Sequence, residues 1–376
     1  MKPLVSRAKA FLKVRHQSVR DAMKHLGLDA ILLTHSPDVA YLTDFSGEDS
    51  AAILTEKAFH FVTDFRYQEQ AQAECGWVSL SIREGKMSDA LAQVIAKTGI
   101  KRLGFDANCT TVSQVDSLVK AMESLKGIRL PELVPVENVL VNIRRIKDDT
   151  EVDLVRKSVA LAQEAFEAIR GEIKIGLSEN HIAGLLIWEL RSRGASDCSF
   201  PPIVASGAHS SLPHHRPDDS IIQKDQPLMI DWGAIYRGYC SDLTRTLMLG
   251  RVAPKMKQIY EVVLEAQLAA IAFLRPGVTT RQADAVARRI IVKAGFGELF
   301  GHGLGHGIGR EIHEAPALRK TEPEDELRPG MIVTVEPGIY IPGQGGVRIE
   351  DDVLITHSGC EVLSSLAKTF EACHIE

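Results

Sequence analysis

At 376 residues the chain is long enough for two domains, each burying its own core, and its 45% hydrophobic and 25% charged content is that of an ordinary globular protein. A formal net charge of -5 argues against a nucleic-acid partner, which usually calls for a basic excess. Six scattered cysteines without a CxxC pair, basic residues threaded through MKPLVSRAKAFLKVRHQ and no apolar run of membrane length point to a cytoplasmic protein with free thiols and no membrane partner.

In chain order, residues 14–26 have the period of an amphipathic helix stopped by Gly27, and DAILLT (29–34) reads as a buried strand. AAILTEKAFHFVTD is strand, polar turn and strand, which predicts a hairpin. A helix begins in FRYQEQAQAEC, a strand covers 100–106 and another helix 111–125, so residues 1–145 form an α/β domain. After Lys147, Asp149 or Thr150 is a candidate cap for a long helix running towards Gly171. The domain boundary therefore falls near 145, with a second domain over 146–376.

That second half echoes itself. LMIDWGAIYRGYCSD and VTVEPGIYIPGQGGVRIED share one order: apolar strand, acid, glycine, Ile-Tyr, turn, strand, second acid. Both read as hairpins that deliver one carboxylate per strand, and helix-rich stretches at 151–193 and 255–294 follow the same logic. An internal duplication would put the site on a pseudo-twofold axis.

Asp231 and Asp242 lie on either side of the turn Tyr236-Arg237-Gly238, where opposed strands can bring both to one end of a sheet. Asp231 follows the apolar LMI, and an unpaired carboxylate there is expensive. Glu336 ends the run MIVTV before Pro337-Gly338, and Glu350 alternates with Arg348; alone, that last pair reads as a surface ion pair of little worth. His302, His306 and His313 sit in GHGLGHGIGREIHE, where alternating glycines discourage a helix and let the backbone approach a ligand closely. His209, His214 and His215 occupy a polar loop bracketed by prolines. His209 reads as an unremarkable surface residue there, and His214 gains interest only from Asp231 seventeen positions on. Cys240, two before Asp242, is expected on the same strand face as a neighbour open to oxidation. The carboxylates of Asp231, Asp242, Glu336 and Glu350 would repel one another unless cations neutralise them, and with the imidazole of His306 the set suits a pair of Mn, Co, Fe or Zn ions sharing a water.

The motifs SGAHSSLPHH, IDWGAIYRGYCSDLTRT, GHGLGHGIGREIHE, TVEPGIY and GVRIEDD, in this order over about 150–370, resemble the pita-bread metallopeptidases (family M24), which include aminopeptidase P, prolidase and methionine aminopeptidase. YLTDFSG and VTDFRYQEQA resemble the creatinase-type N-terminal domain of aminopeptidase P and prolidase, with Asp44 departing from the commoner YLTGF. The resemblance implies an α/β creatinase-type domain followed by an α+β pita-bread catalytic domain with a pseudo-twofold duplication. It also implies two divalent metals, manganese first among Mn, Co, Zn and Fe, held by Asp231, Asp242, His306, Glu336 and Glu350. In that picture Asp242 and Glu350 bridge the metals, and Glu336 passes the proton of the attacking water. His214, His302 and His313 are the other catalytic candidates, and Arg348 orients carboxylates or substrate. The expected function is Xaa-Pro aminopeptidase on peptides with proline second, in a homodimer. A prolidase restricted to dipeptides is the alternative, and an inactive peptide-binding relative the reading from another class. Some prolidases carry arginine just after HExP; HEAPALRK has Ala317 there and Arg319 two later, which leans towards the aminopeptidase.

Overall fold

The computed structural model describes residues 5–321 and 324–375. These fall into two compact units that meet in sequence between Arg144 and Arg145.

The first unit holds helices α1 (Val5–His25), α2 (Ser36–Thr43), α3 (Gln68–Cys75), α4 (Met87–Thr98), α5 (Val112–Glu123) and α6 (Val139–Arg144). Its strands are β1 (Ala30–Leu33), β2 (Ala51–Thr55), β3 (Phe59–Asp64), β4 (Ser79–Arg83), β5 (Arg102–Asp106) and β6 (Glu132–Val136), in the spatial order β4-β3-β2-β1-β5-β6. The hairpin expected over 51–64 is β2–β3, paired antiparallel. Successive strand side chains point to opposite faces, so Ile31 and Leu33 join one core, with Val19 and Val39, while Ala30 and Leu32 join another, with Leu91 and Leu118. Helices thus cover both faces. α1 begins at Val5, earlier than the periodicity suggests, and the chain reverses through Gly27 at φ +64°. Asp44, the position where glycine is commoner, caps α2 at φ +59°; that left-handed backbone is why glycine suits it.

The second unit opens with α7 (Asp149–Arg170). Its cap is Asp148 rather than Asp149 or Thr150. The Asp148 carboxylate accepts from the Thr150 and Glu151 amides, and Glu151 reaches back to the Asp148 N–H. This reciprocal box fixes the start one residue earlier. α8 (Glu179–Ser192) packs on α7, and α9 (Pro254–Phe273) on α10 (Thr280–Lys293).

Each helix pair leads into strand, inserted hairpin, strand. In the first copy, β9 (Gln226–Trp232) pairs antiparallel with β12 (Leu243–Leu249) around the hairpin β10 (Ala234–Tyr236) and β11 (Tyr239–Cys240). Its two-residue turn, Arg237-Gly238, has positive φ at both positions, as a right-twisted hairpin requires. In the second, β15 (Ile332–Val335) pairs with β18 (Asp351–Ile355) around β16 (Gly338–Ile341) and β17 (Gly345–Arg348). The remaining strands are β7 (Asp197–Cys198), β8 (Ile203–Ser206), β13 (Gly305–Gly307), β14 (Glu314–Leu318), β19 (Cys360–Val362) and β20 (His374–Ile375). The main sheets run β20-β12-β9-β8 and β14-β13-β15-β18-β19. One apolar core is shared by both helix pairs and both sheets, and Trp232 lies fully buried within it. The Trp232 indole stacks on Phe166 with ring centroids 4.5 Å apart and donates to the Ala162 carbonyl at 2.9 Å. Truncating such a side chain typically costs about 3–5 kcal/mol.

Candidate metal centre

Four carboxylates and one imidazole converge where the two strand–hairpin–strand copies meet. Of the four acids only Asp231 lies within a strand, in β9 opposite Thr244 of β12. Asp242 sits just before β12, Glu336 just after β15 and Glu350 just before β18, so three of the acids stand beyond strand ends rather than in them. The Glu350 N–H donates to the Thr244 carbonyl at 3.1 Å, and the Thr244 hydroxyl to Glu350 Oε2 at 2.6 Å, which joins one sheet to the other at the cluster. Asp242 is held through its own N–H, which donates to buried Asp352 at 2.9 Å.

His306 is the middle residue of β13, as an extended rather than helical GHG predicts. Gly305 permits this: a Cβ there would stand 2.0 Å from the Thr334 carbonyl oxygen. The His306 Nδ1 lies 3.0 Å from the Gly307 carbonyl, which can only accept, so Nδ1 carries the proton. Burial, and next the neighbouring His313, push this imidazole down to about 4. A neutral ring with its proton on Nδ1 leaves the Nε2 lone pair facing Glu336 Oε1 at 3.4 Å and Asp242 Oδ2 at 3.6 Å.

The acids share one electrostatic field. Burial raises Asp242 well above the usual carboxylate range, and Glu350 and Asp231 add to it. Glu350 is raised by burial and then by Glu336 and Asp231. Burial pushes Glu336 up to about 8 against the pull of Arg348. Ligand atoms of Asp242, His306 and Glu350 lie within 4.8 Å of one another, and Asp231 Oδ1 is buried without a hydrogen-bond partner. Oxygen donors that repel, an orphaned carboxylate oxygen and an imidazole lone pair at one point form a donor set that divalent cations fit.

Arg348 is not half of a surface pair with Glu350. It is buried, and its Nη2 donates to Asp231 Oδ2, its Nε to Thr244 at 3.1 Å and its Nη1 to the Tyr340 hydroxyl at 2.8 Å. β17 ends at Arg348 and β18 begins at Asp351, so Arg348 and Glu350 do not share one strand and the expected alternation does not extend that far.

Of the remaining histidines, His302 has both nitrogens engaged: Nδ1 with the Gly303 carbonyl at 2.8 Å and Nε2 with the Tyr340 hydroxyl at 2.9 Å. Its ring therefore braces Tyr340, whose hydroxyl also meets Arg348. His313 is exposed, with its ring centroid 4.3 Å from that of His306. His214 is exposed too; burial lowers both His302 and His313, and His214 lies near enough to add to each, which places the three in one region. Cys240 ends β11, so Asp242 lies outside its strand; its thiol contacts the Arg310 carbonyl at 4.0 Å, and burial pushes it up to about 12. It is a core thiol, poorly suited to oxidation. Tyr340, Thr244 and Asp352 were not singled out by the sequence, although Tyr340 belongs to the repeated Ile-Tyr signature.

Residues 153–357 match metallopeptidase family M24, and residues 15–146 the creatinase/prolidase N-terminal domain. The chain belongs to family M24. It is accordingly a hydrolase, and its fold is the creatinase-type domain followed by the pita-bread catalytic domain. M24 peptidases use divalent metal ions, and the Asp242–His306–Glu350 cluster offers this one its donors. A Xaa-Pro dipeptidase from Pyrococcus horikoshii is 35% identical over 93% of this chain and 96% of its own length. The structure of a Xaa-Pro dipeptidase from Bacillus anthracis superposes with a TM-score of 0.91 at 39% identity, covering 97% of this chain and 100% of that one. An X-Pro aminopeptidase from Thermotoga maritima gives 0.85 at 32% identity, over 93% and 99%. Among the described residues, no helix of this M24 protein is long and apolar enough to cross a membrane.

Proposed function

We propose that this M24 protein is an exopeptidase that hydrolyses the bond before a proline in second position. The observation that carries it is the buried cluster of mutually repelling carboxylates facing the His306 lone pair, set in a chain similar throughout its length to proteins named for Xaa-Pro hydrolysis. Asp231, Asp242, His306, Glu336 and Glu350 would hold the ions, which supply an activated water and a polarised carbonyl when bound.

The chain's own residues do the rest. Arg348 holds Asp231 in place through Oδ2, which leaves Oδ1 to point elsewhere. Glu336 is the best-placed group to carry a proton to the departing nitrogen. Before proline that nitrogen is a secondary amine, which must be protonated to leave. His214 and His313, exposed beside the cluster, are placed to donate to a developing oxyanion.

We rank trimming of longer peptides ahead of dipeptide hydrolysis. Ala317 stands opposite His306 in the β13–β14 register, so its side chain shares the His306 face. An arginine at that position could clamp the carboxylate of a dipeptide; alanine offers no such clamp, and exposed Arg319 lies beyond the strand end. The dipeptidase reading is favoured by the names of the P. horikoshii and B. anthracis relatives. A panel of Xaa-Pro, Xaa-Pro-Xaa and Xaa-Ala-Xaa on protein reconstituted with Mn, Co, Fe or Zn tests both readings. Cleavage of Xaa-Pro-Xaa supports the ranking, exclusive dipeptide cleavage reverses it, and no turnover with any metal favours a binding protein.

A further inference from the structure

Glu179 is the first residue of α8 and is fully buried, yet nothing in the metal centre uses it. Five donors converge on its carboxylate. Oε1 accepts from the Ser206 amide at 2.7 Å, the Ser206 hydroxyl at 2.9 Å and His209 Nδ1 at 3.0 Å; Oε2 accepts from His215 Nε2 at 2.7 Å and the Asp218 amide at 3.4 Å. The two imidazoles lie against each other with centroids 4.2 Å apart. The first amides of α8 add to this: Glu179 N–H donates to the Ser220 carbonyl and Asn180 N–H to that of Asp218.

Glu179, His209, His215 and Asp218 together have the composition of a metal site. Their geometry does not fit one. A carboxylate offers about four lone-pair directions, and five protein donors saturate them. The 2.7 Å between His215 Nε2 and Oε2 is a hydrogen-bond length. Two atoms bound to one cation at about 2.0–2.1 Å stand roughly 3.3 Å apart.

What these bonds do is fix a loop. Residues 206–218 leave β8 and return to the same carboxylate, so both ends of the loop are tied to one point. The middle is tied to the metal centre: the Gly346 N–H donates to Ser210 Oγ at 2.8 Å, and Arg348 Nη1 to the Pro213 carbonyl at 3.4 Å. His214 stands between Pro213, which touches Arg348, and His215, which touches Glu179. Its backbone is held from both flanks while its side chain stays exposed.

We propose that Glu179 is a positioning residue for the hydrolytic reaction, a buried clamp that sets His214 beside the metal centre. This rests on the Xaa-Pro reading above. Glu179→Gln keeps the shape but turns one acceptor into an amide that meets N–H donors. The test compares wild type, E179Q, H214A and the double variant, all metal-reconstituted. The expected result has three parts. Amide exchange rises about 10-fold or more across 206–218, with β9 and the interior of α8 unchanged. The kcat of E179Q falls about 10–100-fold with little change in KM. H214A then costs much less in the E179Q background than in wild type. Unchanged exchange, or losses that simply multiply, would overturn the clamp, as would the loss of one bound cation per chain in E179Q. If E179Q does not fold, His215→Leu removes one donor beside His214 and carries the same cycle. If wild type cleaves no Xaa-Pro peptide, the functional reading fails, and the exchange arm alone decides whether Glu179 holds the loop.

Discussion

Removing the divalent ions makes the second unit lose stability as pH rises, the reverse of ordinary acid denaturation. Burial pushes Glu336 up to about 8 in the fold, against 4.5 for an ordinary glutamate side chain. A group raised in the folded state contributes stability that is complete below its unfolded value and is lost as pH climbs through its folded one. The window is therefore about 4.5 to 8. Three and a half pH units at about 1.4 kcal/mol each give a ceiling of about 5 kcal/mol from Glu336 alone. Its side chain keeps 17% exposure, and solvent screening brings the expected loss to about 2–4 kcal/mol. Asp242 and Glu350 are raised too and act in the same direction. Urea unfolding of chelator-stripped protein at pH 5, 7 and 9, followed by fluorescence of buried Trp232, measures the slope. Restoring metal should flatten or invert it, because cations replace the protons and bind more tightly as the ligands ionise. Glu336→Gln should reduce the slope without abolishing it. A metal-free protein equally stable from pH 5 to 9, or more stable at pH 9, would refute the picture of repelling buried carboxylates.

Asp242→Asn should stabilise the metal-free protein by about 1–3 kcal/mol, since one repelling charge is gone, while metal content and hydrolysis collapse. Melting curves and elemental analysis of the same sample check both signs. Gly305→Ala should cost roughly 3 kcal/mol or more and release metal, because the new methyl meets the Thr334 carbonyl and displaces His306; a thermal melt close to wild type would contradict this. Arg348→Lys should lower kcat about 10-fold or more, since one ammonium cannot serve Asp231, Thr244 and Tyr340 together. Steady-state kinetics with metal content held equal isolates that effect.

Residues whose role follows from local pattern were legible in the sequence. The β2–β3 hairpin, the extended GHG around His306 and the two echoing strand–hairpin–strand segments rest on alternation, glycine spacing and turn chemistry, which act within about ten residues. Roles set by long-range contacts were not. The partner of Arg348 is Asp231, more than a hundred positions away, so spacing alone suggested Glu350. His209 looked like a loop residue because Glu179, which it meets, lies thirty residues upstream at a helix start where an acid is unremarkable. Asp148 was passed over as the cap because three successive polar residues all suit that position, and only the reciprocal bond from Glu151 distinguishes it.

The Thr244–Glu350 bridge also bears on how the protein is made. Asp231 and Asp242 leave the ribosome with one strand–hairpin–strand copy, His306 and the last two acids with the other, and the bridge forms only when both have closed. A chain truncated before Glu350 still carries Asp231, Asp242, His306 and Glu336, but it lacks the fourth acid, the bridge to Thr244 and strand β18. Metal uptake is thus a late event that certifies a finished chain: an occupied centre means that both copies have folded and docked.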